Sequence, residues 1–143
     1  MIKWSANLGF LWTDRPLPEA VMAAHNAGFN AVECHWPYDC DPQKLKAALD
    51  QTGLPMLGLN TRRGDLSAGE NGLAAVPGRE EEARAYIDEA VGYASAIGCA
   101  NIHVMAGVTD QSKAADDAFQ ENLRYAAQIA ETLDLTILIE PLN

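Results

Sequence analysis

Residues 136–143 read TILIEPLN: a β-branched, apolar run from Thr136 to Ile139, then a carboxylate at Glu140 and a proline at Pro141. An apolar run without alternation is the pattern of a strand covered on both faces, as strands of parallel sheets are. Glu140 then falls where such a strand leaves its core.

Outward from that strand the same alternation repeats. Residues 110–134 carry apolar side chains at helical spacing, and 100–107 (ANIHVMAG) form another strand-like run. Before them, 79–98 predict a helix with an acidic first turn and a stop at Gly98, and 55–60 (PMLGLN) a strand. Residues 41–53 predict a helix with Asp41 as N-cap, Pro42 at its first position and Gly53 at its end. A strand over 30–37 (NAVECHWP), a helix over 18–29 stopped by Gly28, and a strand over 2–7 (IKWSAN) complete the series. One long irregular segment, 61–78 (TRRGDLSAGENGLAAVPG), interrupts it; loops of that length in a compact domain are usually functional or disordered.

Successive strand–helix units imply a parallel sheet with right-handed crossovers. Periodicity leaves two architectures open: an open doubly wound sheet, or just over half of an eight-stranded barrel. No glycine fingerprint of a dinucleotide site follows the first strand. With 143 residues, 48% of them hydrophobic, the chain is expected to form a single domain, 1–143. A formal charge of -10 argues against nucleic acid or an anionic membrane as partner. Cys34, Cys40 and Cys99 show neither disulfide nor zinc spacing and read as reduced apolar residues. Without a signal-like or membrane-spanning apolar run, a cytoplasmic location is expected.

Several strings together resemble the hydroxypyruvate isomerase family of the sugar isomerase/epimerase TIM barrels. They are WSANL (4–8), VECHWPYD (32–39), GDLSAGENGLAAVPGREEE (64–82), ENLRYAAQIAE (121–131) and LIEPLN (138–143), in order along the whole chain. The long loop is the most specific of them. The resemblance implies an α/β fold, a partial (β/α)8 barrel of about four and a half βα units, here the N-terminal half of a longer enzyme. It also implies aldose–ketose type isomerisation through an enediolate, such as hydroxypyruvate to tartronate semialdehyde.

In that family the Glu matching Glu140 is an acid/base residue and binds a divalent metal, Mg or Mn. The other ligands and the second catalytic carboxylate come from strands six to eight, so the metal is expected in the full-length family member and not in this portion, and little or no turnover is expected from these 143 residues alone. Candidate substrate contacts are Asn7, Glu33 and Asn60 at strand ends, Trp12 and Tyr38 as apolar walls, and Arg79 as a carboxylate partner. Each has a structural alternative: loop capping for the asparagines, a satisfied strand-end carboxylate for Glu33, loop packing for the aromatics, and balance of Glu80–Glu82 for Arg79. His103 shares parity with Met105 and reads as a hydrogen-bonded core residue.

Alternatives to the isomerase are a non-catalytic half-barrel that self-associates through exposed strand edges as a homo-oligomer, and a related sugar epimerase or inosose dehydratase-like barrel. A nuclease of the same fold is disfavoured by the acidic charge. The expected partner is otherwise a small hydroxy-carbonyl acid or sugar.

Overall fold

In a computed structural model, the chain is described over residues 2–141. The elements follow the expected alternation: β1 (Ser5–Asn7), α1 (Leu17–Asn26), β2 (Ala31–Glu33), α2 (Pro42–Thr52), β3 (Gly58–Asn60), a 3-10 turn (Leu66–Ala68), α3 (Glu80–Ile97), β4 (Asn101–His103), α4 (Lys113–Glu131) and β5 (Thr136–Leu138). β1 and β2 pair in parallel, with Ser5 opposite Ala31 and Asn7 opposite Glu33, and Val32 bridges Met56 in the same sense. β3, β4 and β5 form a sheet in that order.

The helix ends obey their local chemistry. Asp41 Oδ1 accepts from Gln43 N at 2.8 Å, satisfying an orphan donor of α2, and Pro42 occupies its first turn. α4 begins at Lys113, inside the expected span of 110–134, because Ser112 caps it through Ala115 N. Backbone of left-handed φ follows α1, α2 and α3 at the three glycines expected to stop them.

The chain packs as two compact units, Met1–Leu59 with Tyr93–Asn101, and Asn60–Gly92 with Ile102–Asn143. In the first, α1 and α2 pack on each other, and Val21, Val32, Leu45, Met56 and Leu59 are fully enclosed. In the second, Leu73, Ile87, Ile102 and Val104 form the core. Burial of side chains of this size stabilises by roughly 1.5–3 kcal/mol each.

The segment 61–78 is built, not loose. Glu70 Oε2 accepts from Asp65 N, its Oε1 pairs with Arg79 at 2.6 Å, and Gly72 N donates to Arg63 O at 2.7 Å. The loop then runs beside the strand-four exit, where Ala74 N and Ala75 N donate to Met105 O and Ala106 O. A Cβ on Gly107 would stand 2.2 Å from Gly72 O, and both residues hold positive φ, so this approach of two backbones admits only glycine.

β5 departs from the expectation of cover on both faces. Ile137 is half-buried, but Leu138 is 42% exposed and Ile139 60%. α4 packs on one side of the strand, and among the described residues nothing buries the other.

Candidate functional site

Two groups of side chains stand at strand C-terminal ends, one in each unit. In the first unit, β1 ends on Asn7, whose Oδ1 accepts from Gly9 N at 2.9 Å and so turns the chain out of the strand. Its Nδ2 lies 3.2 Å from His35 Nε2. The His35 ring sits directly over Gly9, is met edge-on by Phe10 at 4.8 Å between centroids, and neighbours Trp36 at 5.0 Å. Glu33, at the end of β2, is half-buried, and its carbonyl accepts from Leu8 N at 2.8 Å.

These loops border a cleft of about 540 Å³, lined among others by Leu8, Pro16, His35, Trp36, Asp39 and Lys44. Its size is that of small-ligand pockets. Trp12, at a φ of 56°, turns its ring onto Phe29 at 6.1 Å, and Tyr38 packs edge-on against Tyr93 at 5.7 Å. Tyr93 in turn donates to Cys40 O at 2.9 Å; its phenol and the Cys34 thiol are pushed up, first of all by burial. His35 is the residue that sequence reasoning passed over. Its parity with Glu33, two positions along an extended segment, was the available signal.

In the second unit, Glu140 lies just past β5 with its side chain 62% exposed, and its Oε2 is 3.5 Å from His103 Nδ1. His103 is 7% exposed, as a core histidine should be, yet it faces the carboxylate at the sheet's C-terminal end. Thr61 ties the adjoining strand ends together: its N donates to His103 O at 2.9 Å and its Oγ1 accepts from Met105 N at 3.0 Å. Asn60 is half-buried at the end of β3. Arg79 spans Glu70 and Glu82, both at 2.6 Å, so its guanidinium already serves the loop. Arg62 is likewise bidentate on Glu89, at 2.6 and 2.9 Å.

A family profile described as xylose isomerase-like TIM barrel matches residues 21–143. The chain belongs to this family. Its strand–helix units therefore correspond to about half of a (β/α)8 barrel. A solved structure titled AP endonuclease, family 2, from Brucella melitensis superposes over 100% of the chain and 56% of its own, with a TM-score of 0.93 and 40% identity.

A Danio rerio protein that carries the name hydroxypyruvate isomerase provisionally is 44% identical over 99% of this chain and 54% of its own length. The 2-oxo-tetronate isomerase of Haemophilus influenzae is 39% identical over 100% of the chain and 57% of its own. The chain spans about half the length of the curated relatives it matches.

The resemblance to the hydroxypyruvate isomerase family carries the expectation of a divalent ion in the full-length member. Among the described residues no three carboxylate, imidazole or thiol groups converge to hold one. Glu140 and His103 supply two donors, short of the six oxygen-rich positions such ions favour. The donor set of the described residues does not by itself fit the ion. No helix among the described residues is long and apolar enough to cross a membrane.

Proposed function

We propose that the chain carries the N-terminal share of an isomerase site for small 2-oxo hydroxy acids, with hydroxypyruvate as the three-carbon case. The observation that carries this reading is the placement of Glu140. Its carboxylate stands past the C-terminal end of β5, where barrel enzymes do their chemistry, open to solvent and beside an imidazole. The names of relatives at 39–44% identity support the same class of reaction.

In this reading Glu140 takes the proton from the hydroxyl-bearing C3, and the C–H electron pair forms the C2–C3 double bond of an enediolate. Return of that proton from Glu140 to C2, with transfer of the O3 hydroxyl proton to the negatively charged O2, leaves an aldehyde at C3 and a hydroxyl at C2. Nothing is oxidised or reduced from outside. Developing negative charge on the oxygens needs hydrogen-bond donors, and His103 is one candidate because it already faces Glu140. Asn60 at the end of β3, and Asn7 and Glu33 at the ends of β1 and β2, are proposed to contact substrate hydroxyls. Trp12 and Tyr38 serve as apolar surface, and Arg79 could meet a carboxylate only by leaving Glu70 or Glu82.

A chimera tests the reading: this chain replaces the matching portion of the Haemophilus influenzae 2-oxo-tetronate isomerase. The folded chimera should isomerise hydroxypyruvate or 2-oxo-tetronate, and Glu140→Gln should lower turnover by about 10²–10⁴-fold. A folded chimera inactive on both, or one indifferent to Glu140→Gln, rejects it. The unfused chain should show little turnover.

A further inference from the structure

The cleft beside α1 and α2 has walls and charges that the isomerase reading leaves unused. β1 and β2 alternate in step: Asn7 lies opposite Glu33 and Ala6 opposite Val32, so the two polar side chains share one face of the pair and the two buried apolar ones the other. Hydrogen bonds from Leu8 N to Glu33 O at 2.8 Å and from Cys34 N to Gly58 O at 3.1 Å carry that alternation one residue further. Leu8 and Cys34, each 5% exposed, therefore fall on the buried face, away from Asn7 and Glu33. Both line the cleft of about 540 Å³, whose sides are Leu17 and Pro18 from α1 and Trp36 and Pro37 from the loop before α2. All its lining residues lie between Leu8 and Lys44, within the first unit.

Asp39, Asp41 and Lys44 supply the charges of the rim. Asp41 is committed to Gln43 N as the cap of α2, whereas Asp39 and Lys44 are exposed and join no ion pair among the described residues. Two carboxylates against one ammonium, on a chain of net charge -10, oppose a ligand anion and draw in a cation. Trp36, 37% exposed, offers an aromatic ring at the same opening, and such a ring attracts an ammonium group.

We propose that this cleft binds a small organic cation, an ammonium group carried on a ring or a short apolar chain. The apolar body lies against Leu8, Leu17 and Pro18, and the ammonium group sits between the Asp39 carboxylate and the Trp36 ring. One wall of the cleft is the His35 ring, whose Nε2 lies 3.2 Å from Asn7 Nδ2, so occupancy is felt at Asn7 on the other face of the strand pair.

Benzyltrimethylammonium is the probe, with phenylacetate as the counterpart of like ring and opposite charge. Titration of the chain, followed by calorimetry and NMR, should show saturable binding of the cation, with shifts at the Trp36 indole N–H and the Asn7 side-chain amide. Phenylacetate should bind about tenfold more weakly or worse. Asp39→Asn, at an exposed position, and Trp36→Ala should each weaken binding of the cation about tenfold. The occupied cleft should also slow alkylation of Cys40, which lines it. No saturable binding up to the solubility limit of the probe, phenylacetate bound as tightly as the cation, or an affinity indifferent to both substitutions would overturn the proposal. If Trp36→Ala fails to fold, Asp39→Asn alone decides. Binding is read without turnover, so failure here and failure of the isomerase reading are separate results.

Discussion

Asn122, fully buried in α4, donates from Nδ2 to the carbonyl oxygen of Ala74 at 2.8 Å and accepts at Oδ1 from Arg84 Nε at 3.2 Å. One amide thereby pins the long loop to a residue of α4 that lies 48 positions beyond Ala74. A buried acceptor without its donor costs roughly 1–3 kcal/mol. Asn122→Ala should lower unfolding stability by about that amount, read by urea titration, and should speed amide exchange at Ala74 and Ala75. Unchanged exchange there would show that the loop is held by other contacts.

Gly9 is required for a different reason, a close approach. A Cβ at this position would lie 2.2 Å from His35 Nδ1 and 2.5 Å from its Cε1. Gly9→Ala must push the ring off Asn7, and overpacking of this kind costs typically ~1–3 kcal/mol. The expected signature is a chemical-shift change at His35 and Trp36, with α2 unaffected. A crystal structure of the variant with the His35 ring unmoved would contradict it.

Glu70 makes the loop sensitive to acid. The hydrogen bond from Asp65 N, and after it the Arg79 guanidinium, hold its carboxyl below the ordinary value of 4.5. A depressed carboxyl contributes stability that is fully present above the unfolded value and is lost as pH falls through the folded one. Protection of the Asp65 amide should therefore persist down to about pH 4.5 and decline below it. Glu70→Gln should flatten that dependence in an exchange series.

The thiols are expected to be slow. Burial is the largest cause raising Cys34, Cys40 and Cys99 alike, and only Cys40 is partly exposed. At pH 7 iodoacetamide should modify Cys40 first, with Cys34 and Cys99 following only on unfolding. Mass spectrometry of a time course checks the order; early labelling of Cys34 would refute it.

Much of this was legible in the residues. Apolar spacing located every helix to within a few positions, because a helix must bury one stripe and its ends must satisfy orphan backbone groups, as Asp41 and Ser112 do. The strand ends Asn7, Glu33 and Asn60 were likewise readable from where each apolar run stopped. The three-residue strands were shorter than their apolar runs, since a run records burial and not hydrogen-bond pairing.

What local order could not convey was proximity between residues far apart in the chain. His35 beside Asn7 and His103 beside Glu140 are meetings across 28 and 37 positions (140 − 103). The commitment of Arg79 to Glu70 and Glu82 depends on how the loop folds back. The sequence by itself determined the alternation of strand and helix, the caps and the family, all of which follow from short-range sterics, burial and motif order. Only the tertiary structure decided which polar groups face one another, because that depends on how distant segments are brought together in space.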